Sequence, residues 1–257
     1  MEVNSRIVLI GAGNMATSLA MALKKSGNAP VAIWSRTLES ASALGNMVGC
    51  AFTNDFASLP DADTVIISVA DSALRSVARS VASRYPGVFI MHTAGSIPMS
   101  ALCESGASNY GVLYPMQTMS KSNIVPFDNV TIFVEGRDEK TTLAVEALAR
   151  QLSGKVVRAT SEQRCYLHVA AVFACNFPNA VYHMASRILE ENGLPFDAML
   201  PLIDEAARKV HLMSPLEAQT GPAKREDNNV MEAHKAMLDD DLKEIYDKMS
   251  NYIMKRM

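Results

Sequence analysis

Two glycines near the start of the chain have the spacing of a turn that binds a pyrophosphate. They follow Ile7–Ile10, an apolar run that is too short for a helix and is typical of a buried strand. Gly11 permits a tight turn, Gly13 allows the backbone to approach a phosphate, and Ala16 lets the next helix pack closely on the sheet. An ordinary structural turn is the alternative. The predicted dinucleotide ligands are backbone groups at the N-terminus of this helix: Gly11, Gly13, Asn14 and Met15.

The end of the second predicted strand, Val31–Trp34, indicates which dinucleotide binds. NAD sites usually have a carboxylate here that binds the ribose 2′-hydroxyl, and this sequence has none. The guanidinium of Arg36 can instead bind a 2′-phosphate, and the hydroxyls of Ser35 and Thr37 can add hydrogen bonds. We therefore expect NADP(H) as the cofactor. The alternative is that Arg36 is a solvated residue of a loop.

Polar residues also follow the fourth and fifth predicted strands, Thr64–Val69 and Val88–Met91. In a sheet of this kind the ligand lies outside the carboxyl ends of the strands, so these residues are expected on the rim of the cofactor site. His92 could donate a proton to a reduced substrate at neutral pH, or it could hold the turn through backbone groups. The predicted rim residues are Val69, Ala70 and Asp71 for the cofactor and Thr93 for the substrate.

One face of a predicted long helix combines histidine and asparagine with small residues. At helical spacing this face carries Cys165, His168, Val172, Asn176, Asn179 and His183. It suggests a wall beside a polar ligand, with His168 and Asn176 as candidates for proton donation and substrate orientation. Alternatively, these two side chains satisfy each other or nearby backbone groups. Zinc is not expected, because ligands on one straight helix cannot converge in tetrahedral geometry.

The loop Thr220–Asp227 is rich in turn-forming residues and carries two cations before the next predicted helix. Lys224 and Arg225 could bind a substrate carboxylate or a cofactor phosphate, and arginine is well suited to bidentate binding. The alternative is that Glu226 and Asp227 pair with these cations at the surface.

Strand and helix patterns that alternate along the chain position these residues. The alternation over residues 1–159 predicts an α/β fold, a doubly wound parallel sheet of the Rossmann type with helices on both faces. Residues 160–257 have a helical pattern and are expected to form an all-helical domain. Its first helix begins with a capping box at Thr160 and is expected to be about thirty residues long, with a kink at Pro178.

The composition excludes several classes of function. The 257-residue chain has 24 Lys and Arg against 27 Asp and Glu without long runs of either sign, so neither nucleic acid nor a membrane surface is an expected partner. No apolar run approaches the length of a membrane span and Met1–Asn4 shows no secretory signal, so a cytoplasmic location is expected. The four cysteines form no C-x-x-C motif and are expected to be reduced.

Several motifs in combination resemble a bacterial family of Rossmann-like NADP oxidoreductases whose members carry a C-terminal helical domain of unknown function. They run over nearly the whole chain: Gly11–Ala16, His92–Gly95, Tyr114–Thr118, His168–Asn176 and Thr220–Asp227. The resemblance implies an NADP(H) cofactor and adds Gln117 to the predicted substrate residues. One departure is Glu226, where the family usually has glycine between Arg and Asp.

More distantly, the layout is similar to pyrroline-5-carboxylate reductase, ketopantoate reductase and the 6-phosphogluconate dehydrogenase-like enzymes, with the first most similar over Gly13–Ala16. This resemblance implies a C-terminal domain that dimerises and closes over the nicotinamide. The hydroxyacid enzymes of the group have a lysine four residues before an asparagine on the long helix, and the matching residue before Asn176 is Val172. Hydroxyacid or ketoacid chemistry by that mechanism is therefore not expected.

These inferences together predict an NADP(H)-dependent reductase of a small C=N or C=O compound that forms a homodimer through its C-terminal domain. His92, His168 and Asn176 are predicted for proton donation and orientation, and Arg225 for binding of substrate charge. A non-catalytic NADP(H)-binding sensor or scaffold is one alternative, and a deazaflavin-linked NADP oxidoreductase is another.

Overall fold

Eight strands form one sheet in the structure, a computed structural model that describes residues 5–256. Met1–Asn4, where the sequence shows no secretory signal, lies outside the described residues. In chain order the strands are β1 (Ile7–Ile10), β2 (Ala32–Trp34), β3 (Ala51–Thr53), β4 (Thr64–Ile67), β5 (Phe89–His92), β6 (Asn109–Met116), β7 (Thr131–Gly136) and β8 (Val156–Arg158). Their order across the sheet is β3-β2-β1-β4-β5-β6-β7-β8.

The sheet is parallel except where β6 pairs with β7, and the predicted doubly wound α/β fold is confirmed. The antiparallel pair has a simple cause. Parallel neighbours need a crossover connection, usually a helix, whereas the chain between β6 and β7 contains only the short 3-10 helix Phe127–Asn129. A connection of this kind returns the chain in the opposite direction.

Helices cover both faces of this sheet, and the core lies between them. The central strands β1, β4 and β5 are buried along their whole length. Alternate side chains enter opposite cores, so Leu9 packs with the helices of one face and Val8 with those of the other. Each fully buried aliphatic side chain of this size contributes about 1.5–3 kcal/mol to stability. The helices between the strands, and the one after β8, are α1 (Asn14–Lys25), α2 (Leu38–Val48), α3 (Asp71–Arg84), α4 (Ser100–Cys103), α5 (Glu139–Leu152) and α6 (Ser161–Ala171).

The predicted long helix is interrupted by a π-helix rather than by a simple kink. α6 begins with the predicted capping box, in which Thr160 and Gln163 bind each other's backbone N–H groups. It is followed by the π-helix Val172–Asn176 and then by α7 (Phe177–Glu191). Pro178 lacks an N–H group, and its ring would clash with a carbonyl in the preceding turn of a regular α-helix. A widened turn directly before the proline relieves this clash.

The chain falls into two compact units, of which the first ends at Cys175 and the second begins at Asn176. The boundary after Ala159 that the sequence suggests for the functional domains stays a prediction. The second unit contains α7, α8 (Leu200–Lys209), α9 (Pro215–Ala218), α10 (Asn228–Ala236) and α11 (Asp240–Arg256). Within residues 5–256 no helix combines the length and the apolar character that a bilayer crossing needs.

Candidate functional site

The turn between β1 and α1 leaves backbone amides open to a ligand. Gly11 has a φ of 122°, and a Cβ atom there would lie 2.0 Å from the carbonyl oxygen of Ser68. Gly13, in contrast, has open space where a Cβ would be, and it is the N-cap of α1. No side chain caps this helix and its first turn carries no acidic residue. An anion can therefore approach the free amides of the first turn, where the helix dipole favours it.

A cleft of about 750 Å³ begins at this turn. Because its walls include residues that follow β2, β1, β4, β5 and β6, it crosses the carboxyl edge of the sheet. The predicted residues that line it are Gly11, Gly13, Asn14, Met15, Ser35, Arg36, Thr37, Val69, Ala70, Asp71, Thr93, Gln117 and His168. The sequence did not single out Ser40, Tyr114 or Lys121, which also line it.

The β2 end of the cleft presents a cation beside a helix N-terminus. Arg36 is exposed and forms no ion pair with any residue that the structure describes. Thr37, predicted to bind a 2′-phosphate, is the N-cap of α2, where its Oγ1 accepts from the Ser40 N–H at 3.4 Å. Arg36 thus places a cation at this edge of the cleft, beside a helix N-terminus that Thr37 caps and whose first turn carries Glu39.

The β6 end of the cleft is formed by three residues that contact one another. Tyr114 Oη lies 3.2 Å from Nδ1 of His168. A Cβ atom on Gly95 would be 2.7 Å from Cζ of Tyr114 and 2.8 Å from the same His168 nitrogen. The glycine therefore leaves room for this pair beside the turn after β5. Tyr114 lies within the Tyr114–Thr118 motif, but nothing local to that motif indicated a partner on α6.

A buried ion pair holds α6 against the sheet behind this end of the cleft. The side chain of Arg164 is 1% exposed, and its Nη2 lies 3.2 Å from Oε2 of Glu135 on β7. The same guanidinium donates to the carbonyl oxygen of Ile97 at 3.0 Å. Burial lowers the pKa of Arg164 from its ordinary value, and the Glu135 carboxylate opposes this shift. Since Arg164 is one helical turn before His168, the pair also positions that imidazole.

Comparison with known proteins decides the family. A family model described as NADP oxidoreductase, coenzyme F420-dependent, matches residues 6–94, and one described as a domain of unknown function (DUF2520) matches residues 130–253. A Bacteroides fragilis structure described as a "putative NADP oxidoreductase" is 44% identical over 99% of both chains, with a TM-score of 0.93. The chain belongs to this family of NADP oxidoreductases. The resemblance predicted from the motifs is confirmed, and so is an enzyme that depends on NADP(H).

More distant structures share the fold of this NADP oxidoreductase. A Thermotoga maritima protein is 23% identical, covering 97% of this chain and 98% of its own, with a TM-score of 0.80. A reductive aminase from Aspergillus terreus in complex with NADPH and ethyl levulinate is 17% identical over 98% of this chain and 93% of its own, with a TM-score of 0.72. No curated protein sequence matches significantly.

In the oxidoreductase His92 is a buried residue and does not line the cleft. It has no exposed surface, and its Nδ1 accepts from the Ala94 N–H at 3.2 Å. Burial lowers the pKa of His92 to about 3, and the charge of Arg164 adds to this effect. These observations favour the structural alternative for His92, in which a neutral imidazole holds the turn, over proton donation. On the rim, Ser96 donates a hydrogen bond to Asp71, and Thr93 donates to Ser68 Oγ at 3.0 Å.

Three predicted residues of the oxidoreductase belong to its second unit. Asn176 is exposed at the end of the π-helix, and Lys224 and Arg225 are exposed in the loop before α10. The expected alternative, pairing of these cations with Glu226 and Asp227, is not found among residues 5–256. Glu226 has a φ of 54°, a left-handed conformation that glycine adopts more readily than glutamate. The roles of Asn176, Lys224 and Arg225 stay predictions.

Proposed function

We propose that this oxidoreductase uses NADPH to reduce a small C=N or C=O substrate that binds beside Gly95, Tyr114 and His168. One observation carries the proposal: a single cleft joins the predicted dinucleotide turn to a polar end where the Tyr114–His168 pair lies. A cleft of about 750 Å³ is large enough for a dinucleotide with a small molecule at its end.

The residues of the cleft suit the parts of NADPH. The uncapped amides after Gly13 would bind the pyrophosphate, and Arg36 with the hydroxyls of Ser35 and Thr37 would bind the 2′-phosphate. The missing carboxylate after β2 removes the group that favours NAD. Bound at these groups, NADPH supplies a hydride and ends as NADP+.

At the β6 end, the side chains would orient the substrate and supply a proton. His168 is the proton donor that the sequence suggests, and its half-buried ring lines the cleft. Thr93 and Gln117 line the same cleft and offer hydrogen bonds to a polar substrate. The proposal also keeps the roles predicted from the sequence for three residues of the second unit. Asn176 would orient the substrate, and Lys224 and Arg225 would bind a substrate carboxylate.

A C=N substrate is the more specific form of this proposal. A Myxococcus stipitatus imine reductase in complex with NADP+ is 17% identical over 97% of this chain and 93% of its own, with a TM-score of 0.70. That likeness is one of fold alone, and it indicates that the fold can serve C=N reduction. The hydroxyacid enzymes use a lysine at the position of Val172. Its absence here also favours an imine over a hydroxyacid as the substrate.

A deazaflavin-linked reaction is the second candidate, because the family model that matches residues 6–94 is described as F420-dependent. Those residues include the dinucleotide turn and end at Ala94, before Tyr114 and His168. The match therefore supports the cofactor site more strongly than the identity of the second substrate. We further propose a homodimer formed through the C-terminal helices and a cytoplasmic location, as expected from the sequence.

NADPH consumption tests the proposed function. The purified full-length protein is mixed with NADPH and, in turn, methylpyrroline, dihydroisoquinoline, cyclohexanone with and without methylamine, pyruvate, and coenzyme F420. We expect oxidation of NADPH with at least one imine and much slower oxidation of NADH. The control is Arg36→Glu, which should weaken NADPH binding at least tenfold, equivalent to about 1.4 kcal/mol.

The outcomes separate the candidates. Turnover with F420 alone would favour the deazaflavin-linked reaction. Tight binding of NADPH without consumption in any mixture would favour the sensor or scaffold. Activity that the Arg36→Glu variant retains in full would reveal a contaminating reductase or a misassigned 2′-phosphate site.

A further inference from the structure

The phenol of Tyr114 is held rigidly at the β6 end of the cleft. Tyr114 is 7% exposed, and its ring packs against that of Phe133 on the neighbouring strand, with ring centroids 6.4 Å apart. The imidazole of His168 meets it edge to face, with centroids 6.3 Å apart. The hydrogen bond between Tyr114 Oη and His168 Nδ1 fixes the remaining rotation of both groups.

Tyr114 Oη and His168 Nδ1 lie next to the place that a substrate beside the turn after β5 would occupy. The position of a Cβ atom on Gly95 is within 3 Å of both the Tyr114 ring and the His168 nitrogen. Only a residue without a side chain leaves this space to the pair. A small planar C=N or C=O group that lies against the cleft wall here is within reach of the phenol.

The charges around Tyr114 suit a neutral phenol that can lose its proton during a reaction. Burial raises the pKa of Tyr114, the positive charge of Arg164 opposes this rise, and the negative charge of Asp71 adds to it. The phenol is therefore protonated at neutral pH, as a proton donor must be. The nearby guanidinium of Arg164 favours the phenolate that would form.

We propose that Tyr114 is a further catalytic residue, the group that gives its proton to the substrate, and that His168 restores this proton. This inference rests on the proposed function, and it differs from it in making His168 a relay rather than the direct donor. The juxtaposition of the two groups with Gly95 carries it.

The proposed step balances as follows. The substrate carbon accepts the hydride, the π electron pair of the C=N or C=O bond moves to its nitrogen or oxygen, and that atom takes the Oη proton of Tyr114. The phenolate then takes a proton from Nδ1 of His168, and the ring takes a proton from water at Nε2. One hydride and one solvent proton are consumed, so the products are the amine or alcohol and NADP+.

The test compares Tyr114→Phe with the matched control Tyr110→Phe. Both positions are on β6, but Tyr110 packs with Arg137 and does not line the cleft. With NADPH and the imine that the wild-type enzyme reduces, we expect Tyr114→Phe to lower kcat by about 100-fold, the usual range for loss of a general acid. The Kd for NADPH should stay at the wild-type value, and stability should fall by no more than the loss of one hydrogen bond, a few degrees of unfolding temperature, because only one oxygen atom is removed.

A second measurement does not depend on activity. Nitrogen NMR of protein with labelled histidine, with the His168 signals assigned by a His168→Gln variant, reports the partner of Nδ1. Tyr114→Phe should shift the His168 ring nitrogen signals and Tyr110→Phe should leave them unchanged.

The proposal is overturned if Tyr114→Phe retains more than a tenth of the wild-type kcat, or if the His168 signals do not change. A wild-type protein that consumes NADPH with none of the substrates overturns the proposed function itself, and this inference with it. The two failures are distinguishable, because the first is seen in the Tyr114→Phe variant, by kcat or by NMR, and the second in the wild-type protein.

Discussion

Burial decides the protonation of His92. The native pKa of this residue is about 3, whereas an unfolded histidine has a pKa of about 6.5. Below the higher value the unfolded chain binds a proton that the native protein does not bind. His92 therefore contributes stability at neutral pH that is lost progressively as the pH falls from about 6.5 towards 3, by about 1.4 kcal/mol per pH unit.

We expect His92→Asn to reduce this sensitivity to acid, because the Asn side-chain oxygen can accept the Ala94 N–H without binding a proton. Urea unfolding between pH 7 and 4.5, followed by the fluorescence of Trp34, the single tryptophan, would measure it. The exposed-residue control His211→Asn should retain the wild-type slope of stability against pH. Equal slopes for His92→Asn and the wild type would contradict the interpretation.

At the scale of elements, the two glycines of the β1–α1 turn have different surroundings. At Gly11 the positive φ and the close approach of Ser68 exclude any side chain. At Gly13 the φ is −80°, which any residue can adopt, and a Cβ atom there would meet no described atom within 4 Å. The free space at Gly13 is consistent with a phosphate lying against the helix N-terminus.

The two alanine variants should therefore differ. Gly11→Ala is expected to lower the free energy of unfolding by at least about 2 kcal/mol, since it adds strain and a backbone clash. Gly13→Ala should change stability by less than about 0.5 kcal/mol. It should nevertheless raise the Kd for NADPH about tenfold, equivalent to about 1.4 kcal/mol. Thermal unfolding measures the effect on stability, and titration calorimetry measures the effect on the Kd. An unchanged Kd for Gly13→Ala would contradict binding of the pyrophosphate at this turn.

At the scale of the whole molecule, the second unit exposes more apolar surface than an isolated helical domain usually does. From Asn176 to residue 256, its buried apolar residues are Ala223, Met231 and Leu242. Large apolar side chains on the helices and loops of this unit remain exposed, among them Leu202 at 66%, Met237 at 82% and Tyr252 at 64%. Where exposed apolar side chains form a continuous surface, that surface is typical of a protein interface.

We expect the protein to be a homodimer, because a second copy would bury these apolar helices. Light scattering coupled to gel filtration should give twice the mass of one chain at micromolar concentration. Since the expected interface is apolar, the dimer should persist when the salt concentration is raised. A mass of one chain that does not change with concentration would contradict this prediction.

The sequence by itself determined the fold class and the residues that form the β1–α1 end of the cleft. That end is built from backbone within one contiguous βα unit, where glycine spacing and apolar periodicity act locally. Only the tertiary structure decided the other end. Tyr114 and His168 are 54 residues apart in the sequence, and Arg164 and Glu135 are 29 residues apart. Such pairs depend on how α6 packs on β6 and β7, and no local pattern encodes that packing. The sequence also left His92 between a chemical and a structural role, and only the structure showed that it is buried within the sheet, on β5 between β4 and β6.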